Sequence, residues 1–187
     1  MNLVVIGGSA GGIEALSLLL NILPANLPAA LIVAIHRDPE KPTNVSEVLN
    51  RFSLMPVVIP NDGESLRPGF CYIGGAQSHV TVAHGMRIRI VPDGFYRSHN
   101  IDALFTSAAR NAGSRAIGVV LSGLQKDGTE GLIAIQEAGG AALVQLPDEA
   151  SYPQMPLNAI KNVVVDFIGS VKDLAREICR RVHVSCP

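Results

Sequence analysis

The sequence predicts an α/β fold: a mostly parallel sheet covered by helices on both faces, with a small antiparallel hairpin inserted in the middle. Three observations carry this. Several short apolar runs are rich in β-branched residues and show no polar alternation, as strands buried on both faces do: 4–6 (VVI), 30–35 (ALIVAI) and 116–121 (AIGVVL). Segments with helical apolar spacing lie between such runs. The stretch 71–91 breaks the alternation into short runs separated by turn residues.

Taken in order, residues 3–8 form the first strand and end in a glycine-rich turn, Gly7-Gly8-Ser9-Ala10-Gly11-Gly12. A helix follows over 13–23, then the strand 30–35. Residues 46–52 read as a short helix after a proline-containing loop, and 57–60 as a third strand. The runs 71–74, 80–83 and 87–91 are short strands. His84-Gly85 closes a hairpin between the last two, with Met86, Ile88 and Ile90 alternating against Arg87 and Arg89. Asn100 is the expected cap of a helix over 101–112 that Gly113 ends. The strand 116–121, the helix 130–138 and the strand 141–145 continue the alternation. Residues 158–161 belong to a helix and 163–167 begin a final strand. An amphipathic helix over 170–182 closes the chain, with Val171, Leu174, Ala175 and Ile178 on one face.

At 187 residues the chain is long enough for one well-buried domain, and residues 1–187 read as one. A net charge of −1 and the lack of any basic stripe argue against nucleic acid as a partner. No apolar stretch approaches the ~20 residues that span a bilayer, so no membrane insertion is expected. No basic leader precedes the first strand, and the three cysteines Cys71, Cys179 and Cys186 are odd in number and widely spaced. These features suggest a reducing, cytoplasmic compartment and no disulfide framework. With neither CxxC nor HExxH present, no metal or cofactor is expected.

In open parallel sheets, ligands bind beyond the carboxyl ends of the strands. Ser9 follows the first strand, His36 directly follows the second, and Ser122-Gly123-Leu124-Gln125-Lys126-Asp127-Gly128 follows 116–121. If these ends converge, they bring together a nucleophile, a general base and a carboxylate that orients the base. The turn fits G-x-S-x-G, which lifts a serine clear of a sheet. It fits G-x-G-x-x-G poorly, because Ser9 stands where the middle glycine belongs.

These segments, in this order, resemble the catalytic domain of the bacterial chemotaxis protein-glutamate methylesterases, the CheB family. The pieces are IGGSAGG with Ser9, the strand-end His36, DGESLRPGFCYI at 62–73 with the SHV after it, NIDALFTSAA at 100–109, GVVLSGLQKDGTEGL at 118–132 and QMPLNAI at 154–160. The resemblance implies a three-layer α/β/α sandwich. It also implies Ser9 as nucleophile, His36 as base and Asp127 as orienting acid. The implied reaction is hydrolysis of glutamate methyl esters on chemoreceptor helices, with release of methanol and with glutamine deamidation in many members.

Four positions depart from the family pattern. Ala10 replaces the threonine after the nucleophile, and Leu124 replaces the methionine whose backbone helps form the oxyanion hole. Arg37-Asp38-Pro39-Glu40-Lys41 replaces M-P-P-G-F, and Ser98-His99-Asn100-Ile101-Asp102 replaces R-P-S-V-D. Ala10, Arg37 and Leu124 are the expected oxyanion and substrate rim, and Arg37, Lys41 and Lys126 are placed to steer an acidic receptor surface. The receiver domain that precedes the esterase in the family has no counterpart in these residues, so the expectation is a stand-alone member. Two other readings stay open: a nucleotide-binding module using Asp38 on a ribose, and a silent interaction domain that keeps only the fold.

Overall fold

The first strand shows why the sheet forms. In β1 (Asn2–Gly8) every residue after Asn2 is buried, and the two faces feed different cores. Val4 and Ile6 pack with Leu16, Leu19, Leu20, Leu174 and Ile178; Leu3 and Val5 pack with Ile101, Leu104, Phe105 and Leu132. A strand buried on both faces needs helices on both sides, and the chain supplies them. The computed structural model describes residues 1–36, 44–75, 78–92 and 99–186. Its further elements are α1 (Gly12–Ile22), β2 (Ala29–Ile35), α2 (Val45–Asn50), β3 (Val57–Val58), β4 (Cys71–Ile73), β5 (Ser78–Ala83), β6 (Arg87–Pro92), α3 (Asn100–Ala112), β7 (Ala116–Val120), α4 (Thr129–Glu137), β8 (Ala141–Gln145), α5 (Gln154–Asn162), β9 (Phe167–Gly169) and α6 (Val171–Arg181).

Seven strands form one sheet in the order β3-β4-β2-β1-β7-β8-β9, and every pairing in it is parallel. The strands β5 and β6 make a separate antiparallel pair, as the turn at His84-Gly85 predicts. Apolar residues of α1, α2 and α6 join the core on one face; those of α3, α4, α5 and the hairpin join the core on the other. Removing one such buried side chain, for example Leu16→Ala, costs about 2–5 kcal/mol. Parallel pairing puts all the strand carboxyl ends on one edge. From β1 the sheet winds one way through β2 and the other way through β7, so the crevice between β1 and β7 is the switch point where such folds bind ligands.

Three local expectations change. The last strand is β9, Phe167–Gly169, not 163–167. The β-branched run before it is a connection, with Val164 largely exposed at 84%. Asp166 closes this connection on β8, its Oδ2 accepting from Ala142 N–H at 2.7 Å and its own N–H donating to Ala142 O at 2.9 Å. Asn100 does not cap α3. His99 occupies the cap position, and neither residue's side chain closes the helix end. Finally, Cys179 and Cys186 form a disulfide, with Cα atoms 5.8 Å apart. His183 has a positive φ of 59° just past α6 and turns the chain back, so Val184 N–H donates to Cys179 O at 3.0 Å. A spacing of seven residues suggests no framework in the sequence, because this reversal has no local signal there.

Candidate active site

The turn that carries Ser9 is held by main chain. Ser9 follows β1, its N–H donating to Ser122 O at 3.0 Å and its carbonyl accepting from Gly12 N–H at 2.8 Å. Gly11 adopts a positive φ of 72° at the cap of α1, a conformation that favours glycine. Ser122, buried at the end of β7, is a strut. Its Oγ donates to Ala10 O at 2.8 Å and accepts from Tyr152 N–H at 3.0 Å, while its own N–H donates to Gln145 Oε1 at 2.9 Å. Gly123 packs tightly beneath: a Cβ there would lie 2.7 Å from Met155 Cε and 3.0 Å from Ser9 Cβ. The strand-end residues above include Ser122 without a role, and Gln145 is not among them. The signal for them is a pair of polar residues at the ends of otherwise apolar strands.

His36 continues the β2 ladder, with its N–H on Gly8 O at 3.0 Å. Its Nε2 lies 2.7 Å from Asp127 Oδ2. A carboxylate can only accept, so Nε2 carries the proton and Nδ1 is the ring nitrogen left with a free lone pair. Among the described residues no hydrogen bond joins Ser9 Oγ to His36. Such contacts are often long without substrate and tighten when it binds.

Asp127 is held by helix ends. Its Oδ2 also accepts from Ile101 N–H at 3.0 Å and its Oδ1 from Asp102 N–H at 2.9 Å, both in the first turn of α3. Asp102 returns the exchange: its Oδ1 accepts from Gly128 N–H at 2.9 Å and Gly131 N–H at 2.7 Å at the start of α4. Each carboxylate therefore closes the N-terminus of the other's helix, where orphan N–H groups and the helix dipole favour negative charge. This is why Asn100 is not needed as a cap.

The two acids titrate apart. Burial alone would raise Asp127, but the hydrogen bond from His36 and the N–H groups of Asp102 and Ile101 outweigh it, so Asp127 sits below the usual carboxylate range. Burial raises Asp102 to about 6, with the negative Asp127 adding to it and the Gly131 and Gly128 N–H groups opposing. His99, Asp102 and Asp127 have donor atoms within 4.8 Å of one another, the spacing of a metal ligand set. Three of the four carboxylate oxygens are already taken by N–H donors, which makes this a capping network.

Of the expected rim, Ala10 and Leu124 flank Ser9 and Gly123, and neither N–H has a partner among the described residues. The N–H of His36, next to Arg37 of that rim, is bound to Gly8 O and is not free to meet an oxyanion. Arg37, Lys41, and the Asp38 that a nucleotide site would need all lie outside the described residues, as does Ser98. Leu124 and Tyr152 are exposed at 51% and 41%, and Tyr152 O accepts from Gly123 N–H at 2.9 Å, so an apolar ledge borders this edge. A cavity of about 390 Å³ lies between the starts of α1 and α6, lined by Gly11, Glu14, Ser122, Gln145 and Lys172 but by none of Ser9, His36 and Asp127.

A family model for the CheB methylesterase matches residues 4–178. The chain belongs to the CheB methylesterase family. It is 36% identical over 186 residues to protein-glutamate methylesterase/protein-glutamine glutaminase 3 of Geobacter sulfurreducens, covering 97% of this chain and 50% of that protein. It is 40% identical over 154 residues to the corresponding protein 2 of Xanthomonas oryzae pv. oryzae, covering 80% of this chain and 42% of that one. The chain thus spans about half the length of the curated relatives it matches. The crystal structure of the Thermotoga maritima CheB methylesterase catalytic domain superposes with a TM-score of 0.87 at 27% identity, covering 96% of this chain and 97% of that one. The α/β fold with its parallel sheet and small antiparallel pair is that of the CheB catalytic domain.

Proposed function

We propose that residues 1–187 act as one catalytic domain, a serine hydrolase that removes methyl groups from glutamate methyl esters on chemoreceptor helices. The observation that carries this is the 2.7 Å contact of His36 Nε2 with a buried carboxylate, at the sheet edge where Ser9 also stands. In this reading Ser9 Oγ attacks the ester carbonyl while His36 Nδ1 takes its proton. The imidazolium that forms is stabilised by Asp127, which stays ionised. The N–H groups of Ala10 and Leu124 receive the developing oxyanion, as the residue after the nucleophile does in other strand-to-helix turns of this kind. The tetrahedral intermediate collapses, His36 returns the proton to the methoxide, and methanol leaves. Water then enters and gives a proton to His36 and a hydroxyl to the acyl carbon; the second tetrahedral intermediate collapses, His36 returns the proton to Ser9 Oγ, and the glutamate leaves. A glutamine side chain follows the same path with ammonia leaving.

No helix among the described residues is long and apolar enough to cross a membrane. The proposed site of action is the cytoplasm, where receptor helices present their modified side chains. Lys126 is exposed beside Asp127 and is proposed, with Arg37 and Lys41, to steer an acidic receptor surface. Two measurements test the reading together: labelling by a serine-directed fluorophosphonate, expected at Ser9, and methanol release from a methylated receptor fragment. Labelling at Ser9 without methanol release would leave a serine hydrolase with another substrate. Neither signal would leave only the fold.

A further inference from the structure

We propose that Asp102 is a positioning residue for the proposed base: its carboxylate clamps the turn that carries Asp127, and so fixes the carboxylate against which His36 is held. This rests on the esterase reading of the site. The geometry has two parts. Asp102 Oδ1 takes the N–H groups of Gly128 and Gly131, so the residue after Asp127 cannot move without breaking that contact. The two carboxylates lie within 4.8 Å of each other, and Asp127 is 2.7 Å from the imidazole. The backbone N–H of Asp102 also holds Asp127 Oδ1, but that contact survives any side-chain replacement.

The test compares Asp102→Asn with Asp102→Ala. Asparagine keeps an oxygen for the Gly128 and Gly131 N–H groups; alanine removes it. Two quantities are read: kcat and KM for methanol release from a methylated receptor fragment, and the rate of fluorophosphonate labelling at Ser9, which needs no receptor. In Asp102→Ala kcat falls about 10- to 100-fold with KM little changed, as for a misplaced catalytic group, labelling slows by a similar factor, and the asparagine variant recovers most of both losses. Wild-type kcat and labelling in a folded Asp102→Ala protein overturn the proposal, and so does an asparagine variant that folds but is impaired about ten-fold or more, whether or not the alanine variant folds. Labelling that follows this pattern without any methanol release would sink the esterase reading and keep the positioning role; normal methanol release in all three proteins would do the reverse.

Discussion

The two sides of the site are built differently. The serine side is tied by main chain: Ser9 N–H to Ser122 O, Ser9 O to Gly12 N–H, His36 N–H to Gly8 O. The acid side is tied by side chains, with Asp127 and Asp102 exchanging carboxylates between the first turns of α3 and α4. Main-chain ties tolerate many neighbouring side chains, so the serine side keeps its shape with the small Ala10 beside Ser9. Carboxylate ties need two particular acids and a dry surrounding. The acid side should therefore be where single substitutions disturb both stability and chemistry.

The comparison breaks most sharply at Ser9. Ser9→Ala leaves every main-chain tie in place, so thermal unfolding should be unchanged, while kcat for methanol release falls by about 10⁴–10⁶-fold. Asp127→Asn should do both kinds of damage. An amide placed against His36 and the N–H groups of Ile101 and Asp102 must point a donor at a donor. It also holds the wrong tautomer of His36, the proposed base. Turnover should fall roughly 10⁴-fold, the loss that the same change causes in a serine protease triad. Chemical denaturation should show a loss of about 1–3 kcal/mol for the unpaired buried group. An Asp127→Asn protein that kept its stability would mean the exchange of carboxylates does not hold the two helices together.

The proposed oxyanion donors sharpen the serine side. Leu124→Pro removes an N–H that has no partner among the described residues, so no internal bond is lost with it. Activity should drop by about 10²–10³-fold with little change in unfolding temperature. Full activity in a folded Leu124→Pro protein would place the donors elsewhere. Ser122→Ala probes the strut below. The carbonyl that holds Ser9 N–H stays, but Ala10 O and Tyr152 N–H each lose a partner. The expected result is a stability loss of about 1–3 kcal/mol with a few-fold effect on kcat, read by denaturant unfolding and steady-state assay.

How far the sequence exposes this architecture follows the same division. The serine side is legible because strand composition, turn glycines and strand-end polar residues are local signals: Val4 to Ile6, Gly11 and His36 sit where their residue types predict. The acid side is half legible. Asp127 stands out by its place after a buried strand, but Asp102 shows only as part of a matched segment. Nothing local says that an acid in the first turn of one helix closes the start of another, since α3 and α4 meet only in the fold. Asn100 misleads for the same reason: a good local cap is displaced by a distant carboxylate. The run Val163 to Val165 resembles a strand because β-branching is a packing signal, and here the partner β8 pairs two residues later, from Phe167. Cys186 reaches Cys179 through a left-handed turn at His183, which no propensity forecasts.

The smallest expected effect tests whether the acid side is strained as well as tied. Asp102 has a folded value raised from 3.8 to about 6, by burial first and then by the charge of Asp127. A raised acid favours its protonated form in the native state, so its contribution to stability is fully present below the unfolded value and is lost as pH rises through about 6. Asp127 runs the other way: its lowered folded value adds stability above the unfolded value, lost as pH falls through the folded one. Above pH 6 the pair therefore sets a stabilising carboxylate against a destabilising one. Asp102→Asn keeps the oxygen that accepts from Gly128 and Gly131 but cannot ionise. Its unfolding temperature relative to the wild type should rise between about pH 4 and pH 7 and level off above that, a gain of a few degrees at most, since Asp102 is only part-buried and solvent screens its charge. Unfolding temperatures of both proteins across that range decide it. A constant difference between them would mean the charge on Asp102 costs the native state nothing, and that the two helix ends absorb both carboxylates equally.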